Sequence, residues 1–487
     1  MKANPVSVRV REVRFHVLPM RTRMPFKYGI ASLSALPHLL VRAEVEIGGR
    51  KAAGTSADGL PPKWFTKDPG TTFEQDLAGM IDVIRHAATS SVEMGQQPSL
   101  FEYWWTLHQE QSRWAKDRGY PPLLSGLGTS LLERAVMDAL CRSVAVPFHD
   151  AARQGYFGLR MEALHPEWPG GDSAAWLPEV AVSEVRVRHT IGLADPLFDD
   201  EISVEERLND GLPQSLEEGI RLYGLRCFKL KWRGDHGVDL ERLRRFTAVL
   251  DRCGVGEFLW TLDGNEQFPS VPAFKEVWDA ASSDPKLRHV MARLVAVEQP
   301  LPRAIALNDE TGEALRVWKG APPWIIDESD GEPECLSRAL GLGYAGISHK
   351  NCKGVIRGIV NACVLRRRAS ENPGRPWLLT SEDLANVGPV AMLQDLCVAA
   401  SLGLTHSERN GHHYFRGLSA FPAGVQDDVL RVHGDLYARE RGGFASLRIE
   451  HGAIRTGSVM AAPFGCGISL DLEPFETLDA WMGSSRV

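Results

Sequence analysis

Charged residues recur at near-constant spacing through the middle of the chain, each at the end of an apolar run. FKLKW carries Lys229 and Lys231, LWTLDGN carries Asp263 and Asn265, and LVAVEQP carries Glu298. WIIDES carries Asp327 and Glu328, and GISHKNCKG carries Lys350. From Lys231 the differences in residue number are 32 to Asp263, then 35 to Glu298, 29 to Asp327 and 23 to Lys350. Such a step holds one strand, one helix and two short loops. Strands that each end in a charge point to a barrel whose chemistry sits at one mouth.

Eight strand-like runs fall near 185–191, 226–231, 258–263, 293–298, 323–327, 345–349, 377–381 and 402–406. That count predicts an α/β chain with a (β/α)8 TIM barrel, regular or modified, over 184–420. The chain has 487 residues, more than a barrel of roughly 250 needs, so a second domain is expected. Residues 1–153 read as an α+β unit, strands first and helices after. Val6, Val8 and Val10 alternate with polar residues, as do Val41, Ala43, Val45 and Ile47. Gly48-Gly49 then supplies a hairpin turn. Arg21 to Ser34 and Gly54 to Thr72 read as loops. Helical periodicity begins near Phe73, and SLLERAVMDALCR places Leu132, Ala135, Val136 and Ala139 on one face. Residues 154–183 are expected to be a linker or insertion. The tail, 421–487, regains strand-like alternation in SLRIEHGAIRTG and is expected to pack back on the N-terminal unit.

Composition excludes several classes. With 44% apolar and 24% charged residues, the chain is an ordinary globular one. A net charge of −7 gives no reason to expect nucleic acid. The eight cysteines are scattered without a CxxC pair and read as free thiols in a reducing compartment. MKANPVSVRV lacks an apolar signal core, and no run approaches the ~18 apolar residues of a membrane span. A cytoplasmic protein without membrane attachment is the expectation.

The charges imply a particular chemistry. Residues two apart on a strand share a face, so Lys229 and Lys231 point into the barrel together. Two adjacent ammonium groups disfavour each other's charge, which is expected to lower a lysine pKa and suit it to general-base work. Lys350 lies four strands later, across the barrel. His349 falls on the opposite face, and Lys353 is expected in the following turn. One acidic residue at a strand end commonly caps the next helix. Three in succession, Asp263, Glu298 and Asp327, favour a hard divalent cation, and oxygen ligands with open positions suit Mg²⁺. Asp327 is the expected ligand of the Asp327-Glu328 pair, with Glu328 turned to a neighbouring strand. Asn265 shares a face with Asp263 and can orient substrate.

This ordered set resembles the enolase superfamily, in its mandelate racemase and muconate lactonizing enzyme branch. The branch carries K-x-K on barrel strand two, D-x-N on three, E-Q-P on four, D-E-S on five and a lysine on six. Here these stand as Lys229-Leu230-Lys231, Asp263-Gly264-Asn265, Glu298-Gln299-Pro300, Asp327-Glu328-Ser329 and Lys350. The resemblance implies that the N-terminal unit is a capping domain, completed by the C-terminal segment. Its PFKYG (25–29) and LPPKWFTKDP (60–69) would close over substrate, with Phe26, Lys27, Tyr28 and Trp64 as walls. It implies α-proton abstraction from a carboxylate bound to Mg²⁺, giving an enediolate, with Lys231 and Lys350 as base and acid and Lys229 beside the oxygens. A lysine base working beside Mg²⁺ on an enediolate is the general pattern of that superfamily. The resemblance also implies a small-molecule partner and a homo-oligomer.

Strand seven, LLTSEDLANVGP, has no histidine for a His-Asp dyad, so the arrangement resembles the lysine-lysine, muconate-lactonizing type. Strand eight, THSERNGHHYF, lacks a D-x-D and offers His406 and Glu408 to substrate instead. The leading expectation is a Mg²⁺-dependent racemase, epimerase or cycloisomerase. The alternatives are an acid-sugar dehydratase on the same fold and a barrel that binds without turnover.

Overall fold

The computed structural model describes residues 4–484 except 169, 171 and 172. The chain begins with three antiparallel strands, β1 (Val8–Tyr28), β2 (Ala31–Ile47) and β3 (Arg50–Gly59). Gly48 and Gly49 have φ of 56° and 80°, the left-handed pair that a tight β2–β3 turn requires. Three helices follow: α1 (Phe73–Glu93), α2 (Leu100–Asp117) and α3 (Pro122–Val144). Thr72 and Gln75 form a reciprocal cap at the start of α1, and Ser99 caps α2. α3 is buried on all sides rather than on the one expected face, because it packs on α1, α2 and β3 and also meets the barrel.

The 20s segment is not a loop. β1 and β2 continue past Arg21 and pair to their tip, with Phe26 opposite Leu33 and Tyr28 opposite Ala31. A register shift between Arg21 and Phe26 interrupts the alternation, which is why the sequence reads as irregular there. β3 likewise extends to Gly59, so the second loop starts at Leu60. The hairpin tip, Gly29 at φ 49°, lies over the barrel mouth: a Cβ there would sit 2.5 Å from Asn265 Oδ1.

Eight parallel strands follow: β4 (Glu184–Ile191), β5 (Cys227–Lys231), β6 (Leu259–Asp263), β7 (Leu294–Glu298), β8 (Trp324–Ile326), β9 (Gly346–Lys350), β10 (Leu378–Glu382) and β11 (His406–Arg409). They curl in the order β10-β9-β8-β7-β6-β5-β4-β11. Among the described residues no backbone ladder joins β10 to β11. Side chains bridge that seam, with Ser407 Oγ 2.9 Å from Ser381 Oγ. Every residue of β5 and β9 is buried, as strands covered on both faces must be. The eighth strand starts at His406, because the apolar run before it belongs to the helix Ala391–Ser401 and its turn.

The tail divides between the two units. Ala453–Arg455, within SLRIEHGAIRTG, pairs with β4 of the barrel rather than with the N-terminal sheet. Glu476–Thr477 pairs with β1, and Arg142 of α3 donates to the carbonyl of Cys466 at 2.8 Å. The 154–183 segment carries short helical turns at Met161–Leu164 and Ser173–Trp176, and its His165 bonds Ser337 and Asn361. All eight cysteines are free, six of them buried. No helix among the described residues is long and apolar enough to cross a membrane.

Candidate active site

Strand alternation places the lysines. Phe228 packs outward on Phe246 of the helix His236–Arg252, so Lys229 and Lys231 point inward, where both line one pocket. Lys229 Nζ lies 2.8 Å from Glu298, 2.9 Å from Glu382, 2.7 Å from Glu408 and 3.2 Å from Asp263. Lys231 Nζ donates to Asp263 at 2.6 Å. From the other side, Lys350 Nζ reaches both oxygens of Asp327 at 2.8 Å and Glu382 at 2.5 Å. It also sits 5.1 Å from the ring centre of Trp64, a cation over an aromatic face.

The lysine pKa values move opposite to the sequence expectation. Burial and Lys229 would depress Lys231, but the charge and hydrogen bond of Asp263, together with the charge of Glu408, outweigh them and raise it. At Lys229, burial is overcome by Asp263, Glu298, Glu382 and Glu408, and at Lys350 by Asp327 and Glu382, so both rise well above the ordinary value. Adjacent carboxylates dominate adjacent ammoniums here because there are more of them and they are in contact.

The carboxylates divide by their partners. Burial would raise Asp263, Asp327 and Glu382, but neighbouring lysines hold all three below the usual range. Glu298 goes the other way: burial and the charges of Glu382, Asp263 and Asp327 outweigh Lys229 and push it well up. Burial and the Glu382 charge lift Glu408 to about 6.

Most of the expected residues converge. Asn265 donates to Glu328 at 2.9 Å, so Glu328 turns to the neighbouring strand end while Asp327 faces the lysines. Phe26, Tyr28 and Trp64 line the pocket wall. Lys27, between Phe26 and Tyr28, points to solvent. His406, at the opposite end of β11 from the pocket, meets the Arg188 guanidinium at 2.9 Å. Strand alternation and direction keep these two out of the site, while Glu408 lines it. His349 is buried against Asn351. Lys353, in the turn after β9, is a site neighbour, 2.7 Å from Asp327.

Glu382 joins the site from outside the set expected from sequence. It ends β10 as Lys231, Asp263, Glu298 and Lys350 end their own strands. The expected seventh run stops one residue short of it, at 381; the same strand-end rule applied one residue further finds it.

The donor set fits a hard cation. Glu298, Asp327 and Glu382 place one oxygen each within 4.8 Å of one another. Glu298 Oε2 is buried with no hydrogen-bond donor, an arrangement that costs free energy unless a cation or proton answers it. Asp263, the third ligand expected from sequence, faces the same space and shares Lys229 with Glu298.

No family model matches the chain, and no curated protein is similar to it in sequence. Solved structures do share its fold. An enolase from Bradyrhizobium complexed with magnesium and mandelic acid superposes with a TM-score of 0.58 at 14% identity, over 98% of this chain and 100% of that one. A dipeptide epimerase from Enterococcus faecalis V583, complexed with Mg and L-Leu-L-Tyr, gives 0.57 at 14%, over 94% and 99%. A mandelate racemase/muconate lactonizing enzyme from Bordetella bronchiseptica RB50 gives 0.56 at 16%, over 96% and 98%. At these identities the likeness establishes the fold alone.

Proposed function

We propose that the pocket abstracts the α-proton of a carboxylate substrate, as an isomerase of the racemase, epimerase or cycloisomerase kind. The observation that carries this reading is the approach of Lys231 and Lys350 to one pocket from strands four apart in the barrel. A carbon held between them meets an amine on each face. One lysine in its neutral form takes the proton, and the other, as an ammonium, returns it or protonates the product. Lys229 sits among the carboxylates, where its charge offsets negative charge growing on the substrate oxygens.

Asp263, Glu298 and Asp327 are the residues proposed to hold Mg²⁺, with Glu382 within reach of the same position. The ion would polarise the substrate carboxylate and stabilise the enediolate. Ion binding would also draw carboxylate charge away from the lysines, and that frees a lysine pKa to fall toward the range a base needs. Glu382 bridges Lys229 and Lys350 and holds both ammoniums in place. The hairpin tip and the 60s loop cover the mouth and limit water at the reacting carbon.

An acid-sugar dehydratase on the same fold is disfavoured by the pocket wall, which is aromatic and aliphatic above the strand ends. A binding-only barrel is disfavoured by the cost of burying so many charges with no chemistry to use them. The test is α-hydrogen exchange: incubate a panel of carboxylic acids with protein and Mg²⁺ in D₂O and follow the α-hydrogen by NMR. Exchange in at least one acid, lost in the Lys231→Ala/Lys350→Ala double variant, is expected. Exchange that survives in the double variant would sink the assignment.

A further inference from the structure

None of the covering segments' lysines, Lys27, Lys63 and Lys67, lines the pocket. Lys27 points to solvent. Lys67 Nζ donates to the Asn265 carbonyl at 2.5 Å and pairs with Glu266 at 2.9 Å. What faces the pocket from these segments is the apolar group Phe26, Tyr28, Leu33, Pro61 and Trp64. Even the polar tip of Tyr28 is used, donating to the Pro62 carbonyl at 2.8 Å. Phe26 is anchored from behind by stacking on Tyr414 at 4.2 Å.

The barrel side closes the same wall. Leu384 and Ala385 follow β10 and line the pocket. Asp383 also borders it, but its carboxylate is taken by Arg409 and by the Ala385 amide at 2.9 Å. Asn265 Oδ1 and Asn410 Oδ1, which lack a hydrogen-bond partner, belong to residues that follow β6 and β11 and not to the covering wall.

From this we infer that the substrate carries, beyond its carboxylate and α-carbon, an uncharged and largely hydrocarbon group, aryl or branched alkyl. The inference rests on the proton-abstraction reading for the carboxylate end and deepens it at the other. An anionic tail would find no free cation in the wall. A cationic tail would find Asp383, the carboxylate beside Leu384 and Ala385 of the wall, already paired with Arg409. A polyhydroxylated tail would bury hydroxyls against rings and methyls with nothing to bond. An aryl group instead gains the burial and the ring contacts that the wall offers.

Calorimetric titration in Mg²⁺ compares four acids with one common end: acetate, phenylacetate, (4-carboxyphenyl)acetate and gluconate. Phenylacetate should bind about tenfold to about a hundredfold more tightly than acetate, the ratio for burying a phenyl group, and more tightly than the other two. Leu33→Lys and Leu384→Lys, on separate elements, place a cation in the wall. Each should raise the affinity ratio of (4-carboxyphenyl)acetate to phenylacetate at least tenfold, with folding checked by circular dichroism. Gluconate or the charged acid binding best to the unaltered protein, or an unchanged ratio in both folded variants, overturns the inference. α-Hydrogen exchange confined to polar-tailed acids overturns it while leaving proton abstraction standing. Failure of every acid to bind overturns both.

Discussion

Lys229 donates to Glu298 Oε1 at 2.8 Å, while Glu298 Oε2, equally buried, has no donor. One carboxylate is thus half answered by a lysine and half left open, and burial and the charges of its neighbouring carboxylates push its pKa up. A divalent cation at the open oxygen resolves both problems. Saturating Mg²⁺ should therefore raise the Tm, by about 2.7 kcal/mol of stability at a hundred times Kd. Glu298→Gln should largely abolish that rise in a thermal melt. Asp263→Asn and Glu382→Gln decide the third ligand, since loss of the true one should weaken Mg²⁺ binding at least about tenfold. A Tm indifferent to Mg²⁺ in the unaltered protein would contradict the metal site.

Glu133 of α3 ties the N-terminal unit to the barrel by accepting from the Ile356 amide, at the start of the helix after β9. Burial raises its pKa from the ordinary 4.5 to about 7, against the favourable amide bonds and arginines. Folded Glu133 therefore holds its proton to higher pH than unfolded Glu133. Its contribution is full below about 4.5 and is lost as pH rises through about 7, by at most about 3 kcal/mol. Chemical denaturation across pH 4.5–8 should show the stability of the unaltered protein falling relative to Glu133→Gln over that window. A flat difference would contradict the shift.

Arg303 holds the 60s loop down. Its guanidinium donates to the carbonyls of Phe65 at 2.7 Å and Trp64 at 3.0 Å, and pairs with Glu266 at 2.8 Å. Arg303→Ala leaves those buried acceptors unpaired, at a cost of about 1–3 kcal/mol. Amide hydrogen exchange should speed up over residues 60–67 well beyond any change in the barrel strands. Equal acceleration everywhere would mean that Arg303 supports the whole fold rather than the loop.

The barrel is legible in the sequence because its signal is local. An apolar run that ends in a charge marks each strand, and seven of the eight runs fall within a residue or two of the strands at β4–β10. The eighth is displaced because SLGLT has strand-like composition but completes a helix that packing fixes. Lys231, Asp263, Glu298, Asp327 and Lys350 are reached by the same strand-end rule, which also covers Glu382, and Lys229 follows from Lys231 by strand alternation. The lysine pKa direction is not legible, because it depends on which carboxylates arrive from distant strands. Nor is the hairpin: its pairing partners are near in sequence, but a register shift hides the alternation between Arg21 and Phe26. Lys27 and His406 show the limit at single-residue scale, where one step along a strand, or the wrong end of it, removes a side chain from the pocket.

The central claim is that Lys231 and Lys350 address opposite faces of one carbon. It is tested most directly by α-deuterium incorporation into each enantiomer of a turned-over acid, with Lys231→Ala and Lys350→Ala measured separately. Each single variant should lose exchange by about 10²-fold or more with one enantiomer and keep it with the other, and the two variants should spare opposite enantiomers. Both variants losing the same enantiomer, or neither losing any, would contradict it.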